Sequence, residues 1–474
     1  MEIKKRKAYA ILGTALAAAA AAVCAAMLLA ALAYVLLDSP AHGAVICVSG
    51  IAIAVFICPL MARYVRASGA RPLGIAVFAV ALFLRLAFVL FAESAPISDF
   101  ELLYNAAQSL ASGDVSAFGS EYFQLWGYQI PFALYESLVI ALGGGVKALG
   151  ILNALWGAVS AFMIFSIARR FAGQGAAFAA GILYAVYPGA ILLTPVLTNQ
   201  HLSLCLFLTG LYLIGRGGLK MCLLGGMALA LGNLMRPEAL LVILGVLAAS
   251  FLEYARIPRK PGRILKRLAA IFLGYVSLTL AVRFAVYLSG IAPCGLGNAF
   301  PEWKFVLGLD TAAGGRYDAA MEYIFSIPDA AGRSAASREA IRDSLSGCDN
   351  LLLFFAEKSA SFWGGYEDSW LGTANSLFYP LRLAERAVFI AASLLAFAGC
   401  LSRHGRGAEH AVRAIVAANF AAYLLIEVQA RYRYFAIPFL LILSAAGIKR
   451  IRSLAGRRLL RKAGAAPLRR NRAD

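Results

Sequence analysis

Charge is scarce in this 474-residue chain: Asp, Glu, Lys and Arg make up 15% of it, against 61% hydrophobic residues. A soluble domain carries roughly 25% charged residues, so a water-facing globule is excluded and an all-α polytopic membrane protein is expected. The 8 cysteines show no CxxC or other metal-site spacing, and only 4 histidines are present. Gly143 to Gly145 is the one glycine run that invites comparison with a phosphate loop. It has no strand before it and no GK[ST] after it, and reads as a helix terminator. There is no internal repeat of fixed period, and no matching pair of Gly/Pro-broken spans of the kind that marks many transporters. A cleaved signal peptide is not expected, because the first apolar stretch, Ala8 to Leu37, is long enough to cross a bilayer and reads as a retained helix.

Positive charge, by contrast, is plentiful, with 44 Lys and Arg against 25 acids. Its distribution explains it. With the N-terminus MEIKKRK placed inside, spans are expected near 8–37, 44–62, 73–92, 149–168, 176–194, 201–215, 219–235, 238–253, 268–290, 384–402, 410–428 and 433–448. That threading puts 29 of the 44 basic residues in inside segments and leaves Lys147 alone in the first outer loop, 93–148. Both termini are then cytoplasmic. The tail after residue 450 is a basic segment beside an anionic leaflet, so its charge implies a membrane surface rather than nucleic acid. Tyr128 to Leu142 is apolar but too short to span, and is expected to be an interfacial or re-entrant helix.

The expected organisation is 1–72 (two extra helices), 73–290 (a membrane module including the first outer loop), 291–383 (a small extracytoplasmic loop domain), 384–450 (closing helices) and 451–474 (basic tail). Within the loop domain, 326–350 is polar with helical spacing, and FPEWKFVLGLDTAAGGRYD carries the turn signals of an ordered loop. Six cysteines fall in spans as small apolar residues, whereas Cys294 and Cys348 lie in the large loop, where an oxidising compartment would permit a disulfide. The most informative acids are Asp99 and Glu101 in APISDFE, just past the third span. Asp99 is also a favourable N-cap for a helix starting near Phe100. Asp114, in ASGD, reads as closing a turn.

Several segments, taken in order, resemble a known family. A span ending in LRLAF is followed by ISDFELLYNAAQSLASGD, then YQIPFALYESL, LYAVYPGAILLTPVLTNQHL, LGNLMRPEALLVILG, WKFVLGLDTAAGGRYD and the closing ARYRYFAIPFLLIL. Over roughly residues 73–450 this pattern resembles the C-type glycosyltransferases (GT-C), in particular the branch holding bacterial protein O-mannosyltransferases and the aminoarabinose transferase of lipid A. The resemblance implies a GT-C bundle of about 12 transmembrane helices in the plasma membrane, with amphipathic helices in the first outer loop. It also implies an inverting transferase that takes sugar from a polyprenyl-phosphate donor at the extracytoplasmic face and delivers it to a hydroxyl of a protein, lipid or cell-wall acceptor.

Such chemistry needs a base for the acceptor hydroxyl and cations for the departing phosphate. The resemblance puts Asp99 in the base role, with Glu101 tuning it or orienting the acceptor. Arg236, Arg431, Arg433 and the intramembrane Arg85 are the candidate phosphate ligands, since the guanidinium fork matches phosphate oxygens. A structural ion pair of Arg236 with Glu238, and snorkelling of Arg431 or Arg433, are the alternatives. Tyr104, Tyr128, Trp303 and Lys304 are candidate sugar or acceptor contacts, with Asp310 beside them. Trp363, Tyr366 and Trp370 suit either sugar stacking or interface anchoring. One departure matters: relatives carry an acid where this chain has Asn199 and Gln200, so a divalent metal would have one ligand fewer. No cofactor is assigned, and His201 reads as a packed residue rather than a ligand. A lipid-linked sugar flippase, and a ligase using a diphosphate donor, are the competing functions.

Overall fold

The computed structural model describes residues 2–38, 40–65, 69–92, 94–256, 261–365, 379–402, 405 and 407–462; Tyr366, Trp370 and the end of the basic tail lie outside these. Among the described residues there is no strand, and eight helices are long and apolar enough to cross a membrane. The chain opens with α1 (Glu2–Asp38). It is followed by α2 (Pro40–Ala52), which runs through a π turn at Ile53–Ile57 into α3 (Cys58–Tyr64), and by α4 (Ala70–Phe91). The first long connection holds α5 (Asp99–Ala111), α6 (Glu121–Leu125) and α7 (Ile130–Ala141), the last being the short helix expected at 128–142. Then come α8 (Val146–Ala172), α9 (Gln174–Ala185), α10 (Pro188–Leu192), α11 (Gln200–Arg216), α12 (Leu219–Met235), α13 (Ala239–Arg256) and α14 (Pro261–Ser289). A loop domain follows, with α15 (Trp303–Gly308), α16 (Ala330–Ser346) and α17 (Leu351–Ser359). The closing helices are α18 (Tyr379–Cys400), α19 (Ala408–Leu425) and α20 (Arg433–Lys462).

The expected span at 176–194 is not one helix. Pro188 removes a donor and forces Tyr187 into an extended conformation (φ −65°, ψ 111°), so the helix stops at Ala185 and restarts as the single turn of α10. The helices at 201–215, 219–235 and 410–428 do form, with 17, 17 and 18 residues, close to the roughly 20 needed to cross unaided. The expected helix 433–448 runs further than the sequence suggested, continuing through the basic stretch to Lys462.

Small residues set the packing, as they do where lipid supplies no hydrophobic contrast between helices. A Cβ on Gly226 of α12 would overlap the carbonyl of Ile271 on α14, and one on Gly274 would overlap that of Leu223. On the far side of α14, Phe272, Leu273, Phe284 and Leu288 are exposed as a lipid-facing surface. Two ion pairs lie deep in the bundle, whereas Glu136 of α7 is fully buried with neither carboxylate oxygen hydrogen-bonded. Glu385 and Arg386 pair on α18, where Tyr187 donates to Glu385, and Arg413 pairs with Glu409 one turn away on α19. These pairs lock α18 and α19 into the core rather than lining an aqueous path.

Candidate active site

The site is built where the two long connections meet the ends of the helices. Ser98 is the only non-glycine residue with positive φ among the described residues (φ 55°, ψ −132°). Such backbone strain persists only where the surroundings enforce it, and it concentrates at functional positions. Here it turns an extended approach, residues 94–97, abruptly into α5. Asp99 is therefore the first residue of the helix and not its cap, which is Ser98 and makes no capping bond. At that position the helix dipole favours a carboxylate. Asp99 is half-buried, whereas Glu101, two residues and more than half a turn further round, is exposed to solvent.

Three cations from different elements converge on the ring of Tyr432. The guanidinium carbon of Arg236, at the exit of α12, lies 5.1 Å from its centroid, that of Arg431 lies 5.6 Å away, and the Lys304 amine from α15 lies 5.7 Å away. Arg431 also sits 5.0 Å over Phe100, the neighbour of Asp99, which ties the start of α5 to the cation cluster. Each cation is oriented by a polar partner. Arg236 pairs with Glu238 at 2.8 Å and donates to Asn199 Oδ1 at 3.2 Å. Asn199 in turn donates to Gln129 at 3.1 Å and so works as an amide bridge between Arg236 and Gln129. Lys304 pairs with the buried Glu427 at 2.6 Å, and the Glu427 N–H donates to the Lys304 carbonyl at 3.1 Å. Gln429 donates to Glu427 and accepts from Arg431, both at 2.7 Å, while Gln200 donates to the Arg431 carbonyl at 2.8 Å.

Electrostatics joins the acid to the cations. Burial pushes the Tyr128 hydroxyl up; Lys304 and Arg236 oppose that shift, and Asp99 adds to it. Burial also raises Tyr122, with Asp99 reinforcing and Arg431 opposing. Burial pulls the Lys304 amine down, but Tyr432 and Glu427 outweigh it and hold the amine above its ordinary range, firmly charged. Asp99, two tyrosines and three cations thus share one field.

Other expected site residues lie elsewhere. Arg85 is fully buried and donates to the carbonyls of Ala81, Tyr184 and Ala185 at 3.3, 3.0 and 3.0 Å, with Tyr184 packed under its guanidinium. Arg433, one residue past Tyr432, faces the other way and holds the carbonyls of Phe362, Trp363 and Gly365. Tyr104 points toward Gly145 at the opening of α8. Trp303 packs on Phe300 and Phe325 in the core of the loop domain, and Trp363 stacks on Phe420 inside the bundle. His201 is buried between the Tyr434 hydroxyl (2.8 Å) and the Leu193 carbonyl (2.9 Å). Asp114 closes a turn through the Ser116 N–H.

Cys294 and Cys348, between which a disulfide is permitted, are both free thiols in this structure. Cys294 sits in the loop that docks on residues 125–128, through Tyr128 N–H to Gly297 and Ala299 N–H to Leu125. Cys348 follows the C-terminal end of α16.

Glu427, Gln429 and Tyr432 were not singled out from sequence. The signal was present in IEVQARYRY, an acid directly after an apolar helix, which is the same pattern that draws attention to Asp99.

A family model for dolichyl-phosphate-mannose-protein mannosyltransferase matches residues 131–287, from the first turn of α7 to the last turn of α14. The matched third of the chain contains Asn199, Arg236 and Glu238; Asp99, Lys304, Glu427 and Arg431 lie on either side of it. No curated protein matches the chain. That family is a glycosyltransferase family of the GT-C superfamily, and over this third of its length the chain, all-helical with eight candidate membrane spans among the described residues, is similar to it.

Proposed function

We propose that the chain transfers a sugar from a polyprenyl-phosphate donor to an acceptor hydroxyl at the extracytoplasmic face of the plasma membrane, with inversion. The observation that carries this reading is the meeting of Arg236, Lys304 and Arg431 at Tyr432, within the field of Asp99. In the proposed step the acceptor O–H proton passes to Asp99 and the acceptor oxygen bonds to C1 from the face opposite the phosphate. The C1–O bond breaks with its electron pair going to the polyprenyl phosphate, whose new negative charge is stabilised by the fixed cations. Arg85 and Arg433 serve this site from behind, as frame rather than ligands.

The charge distribution supports this side of the membrane. Arg63, Arg169, Arg170, Arg216 and Arg256 lie at the helix ends opposite the first connection, as expected for a cytoplasmic face. Acids and cations gathered at one end favour transfer over transport, which requires them along a path. The acceptor is a protein, lipid or cell-wall hydroxyl. The test is purified protein in nanodiscs given a panel of polyprenyl-phosphate sugars, following release of polyprenyl phosphate and the anomeric configuration of the product. Release with an inverted product is expected. A folded protein that turns over only diphosphate-linked donors would overturn the proposal.

A further inference from the structure

Among the described residues Lys358 of α17 is the only buried lysine, 2% exposed, and no carboxylate pairs with it. Its amine donates to the Gly308 carbonyl and lies 5.9 Å from the centroid of the Phe354 ring. Burying an ammonium without a counter-charge is costly, and here it pulls the amine down to about 8. The group that offsets this cost is the last carbonyl of α15, since a helix C-terminus offers unpaired carbonyls and the negative end of its dipole. With 6 residues α15 is far too short to sustain itself as a helix, so its place is set by what fastens its ends.

That helix carries Lys304. The Lys304 carbonyl accepts from the Glu427 N–H while the Lys304 amine meets the Glu427 carboxylate, so α15 and residues 425–428 form one seam. Gly308 is pressed into the same seam, where a Cβ would overlap the Leu425 carbonyl and Ile426. Beyond it the chain turns back at Gly315 (φ 76°), whose N–H donates to the Asp310 carbonyl at 2.8 Å and whose carbonyl accepts from the Val428 N–H at 2.7 Å. A Cβ on Gly315 would lie 2.9 Å from Cδ and Cε of Lys358, so the lysine stem crosses this turn in the room that glycine leaves. We infer that Lys358 is a positioning residue for the cation cluster: it caps α15 and thereby fixes the Lys304 amine against Tyr432 and Glu427. The anchor behind it is firm. α17 starts at Asn350, whose side chain accepts from the Leu353 N–H at 3.0 Å, and runs into the buried turn Ala360–Gly364, where Gly364 lies against Ala30 and Tyr34 of α1. Lys358 touches no substrate in this role; it works through Lys304.

This role rests on the reading of Lys304 as a phosphate ligand, so the test reads phosphate binding without turnover. Full-length protein in nanodiscs is titrated with polyprenyl phosphate carrying no sugar. Wild type, Lys358→Met, Lys304→Gln and the double variant are compared, with folding checked by thermal unfolding. Lys358→Met should weaken binding about fivefold or more when Lys304 is present and less than about twofold in the Lys304→Gln background, because the residue through which it acts is then gone. A lysine that only supports the fold would give equal losses in both backgrounds; that result, or wild-type affinity in folded Lys358→Met, overturns the proposal. If Lys358→Met does not fold, Lys358→Gln, shorter but still able to donate, carries the same comparison with a loss of about threefold or more. Coupled losses in a protein that turns over no lipid-linked sugar would leave Lys358 in this role and remove the proposed reaction. No binding of polyprenyl phosphate by wild type would overturn both.

Discussion

Replacing Lys304 by Gln deletes one of the three cations at Tyr432 while keeping a side chain of similar reach. During transfer the phosphate gains about one unit of negative charge. At about 4 Å and an effective dielectric near 20, one cation stabilises such a unit by about 4 kcal/mol. Loss of a single fixed charge-stabilising donor typically lowers kcat about 10²–10³-fold, and a loss of that order is expected here. The substitution also leaves Glu427, whose side chain is 2% exposed and normally 2.6 Å from the amine, as a bare acid beside the phosphate. The double variant Lys304→Gln/Glu427→Gln removes that acid and should recover part of the loss, by the roughly 0.5–3 kcal/mol that contacting residues usually couple. Lys304→Arg keeps the charge and should be the mildest of the three. The assay is steady-state release of polyprenyl phosphate in nanodiscs, with kcat and KM separated and folding verified by thermal unfolding. A folded Lys304→Gln with kcat within about threefold of wild type, or a double variant no better than the single, would refute this reasoning.

Three further outcomes follow from the geometry. Arg85→Met should leave the Ala185 carbonyl unpaired at about 1–3 kcal/mol, while the Tyr184 carbonyl keeps the Tyr187 N–H, lowering Tm with the KM for donor in the surviving folded protein at the wild-type value; a raised KM alone would make Arg85 a ligand. Gly274→Ala should cost about 1–3 kcal/mol by driving α14 off the Leu223 carbonyl of α12, measured as a drop in Tm; an unchanged Tm would show that the close crossing is not required. In the loop domain, burial pulls the Lys358 ammonium from its ordinary 10.5 down to about 8. Between those values the unfolded chain holds a proton that the folded one lacks, so the cost of burying Lys358 is fully present below pH 8 and fades as pH rises toward 10.5. Tm should accordingly climb over that window in wild type relative to Lys358→Met, and parallel profiles for the two proteins would contradict it.

Much of the fold was legible because a bilayer imposes long apolar runs, and α1, α4, α8 and α14 lie where the hydropathy puts them. What escaped was local: Pro188 broke a run that hydropathy alone reads as one span. Within the site, Asp99 and Arg236 were visible as isolated charges against an apolar background. Tyr432 and Glu427 were not, since a ring becomes a platform for cations only once elements more than a hundred residues apart are brought together. The same limit explains Arg85 and Arg433. A buried guanidinium beside a site and one fastening backbone carbonyls behind it look alike in sequence, and only the carbonyls within reach separate them.

The most direct measurement compares wild type with Asp99→Asn in nanodiscs, following single-turnover release of polyprenyl phosphate alongside equilibrium binding of the unreacted donor. The amide keeps the shape of the side chain at the start of α5 but cannot take a proton. Donor affinity is expected to stay near the wild-type value, because the cations at Tyr432 are untouched, while turnover falls about 10²–10⁴-fold. Turnover by Asp99→Asn close to the wild-type rate would contradict the assignment of Asp99 as the base.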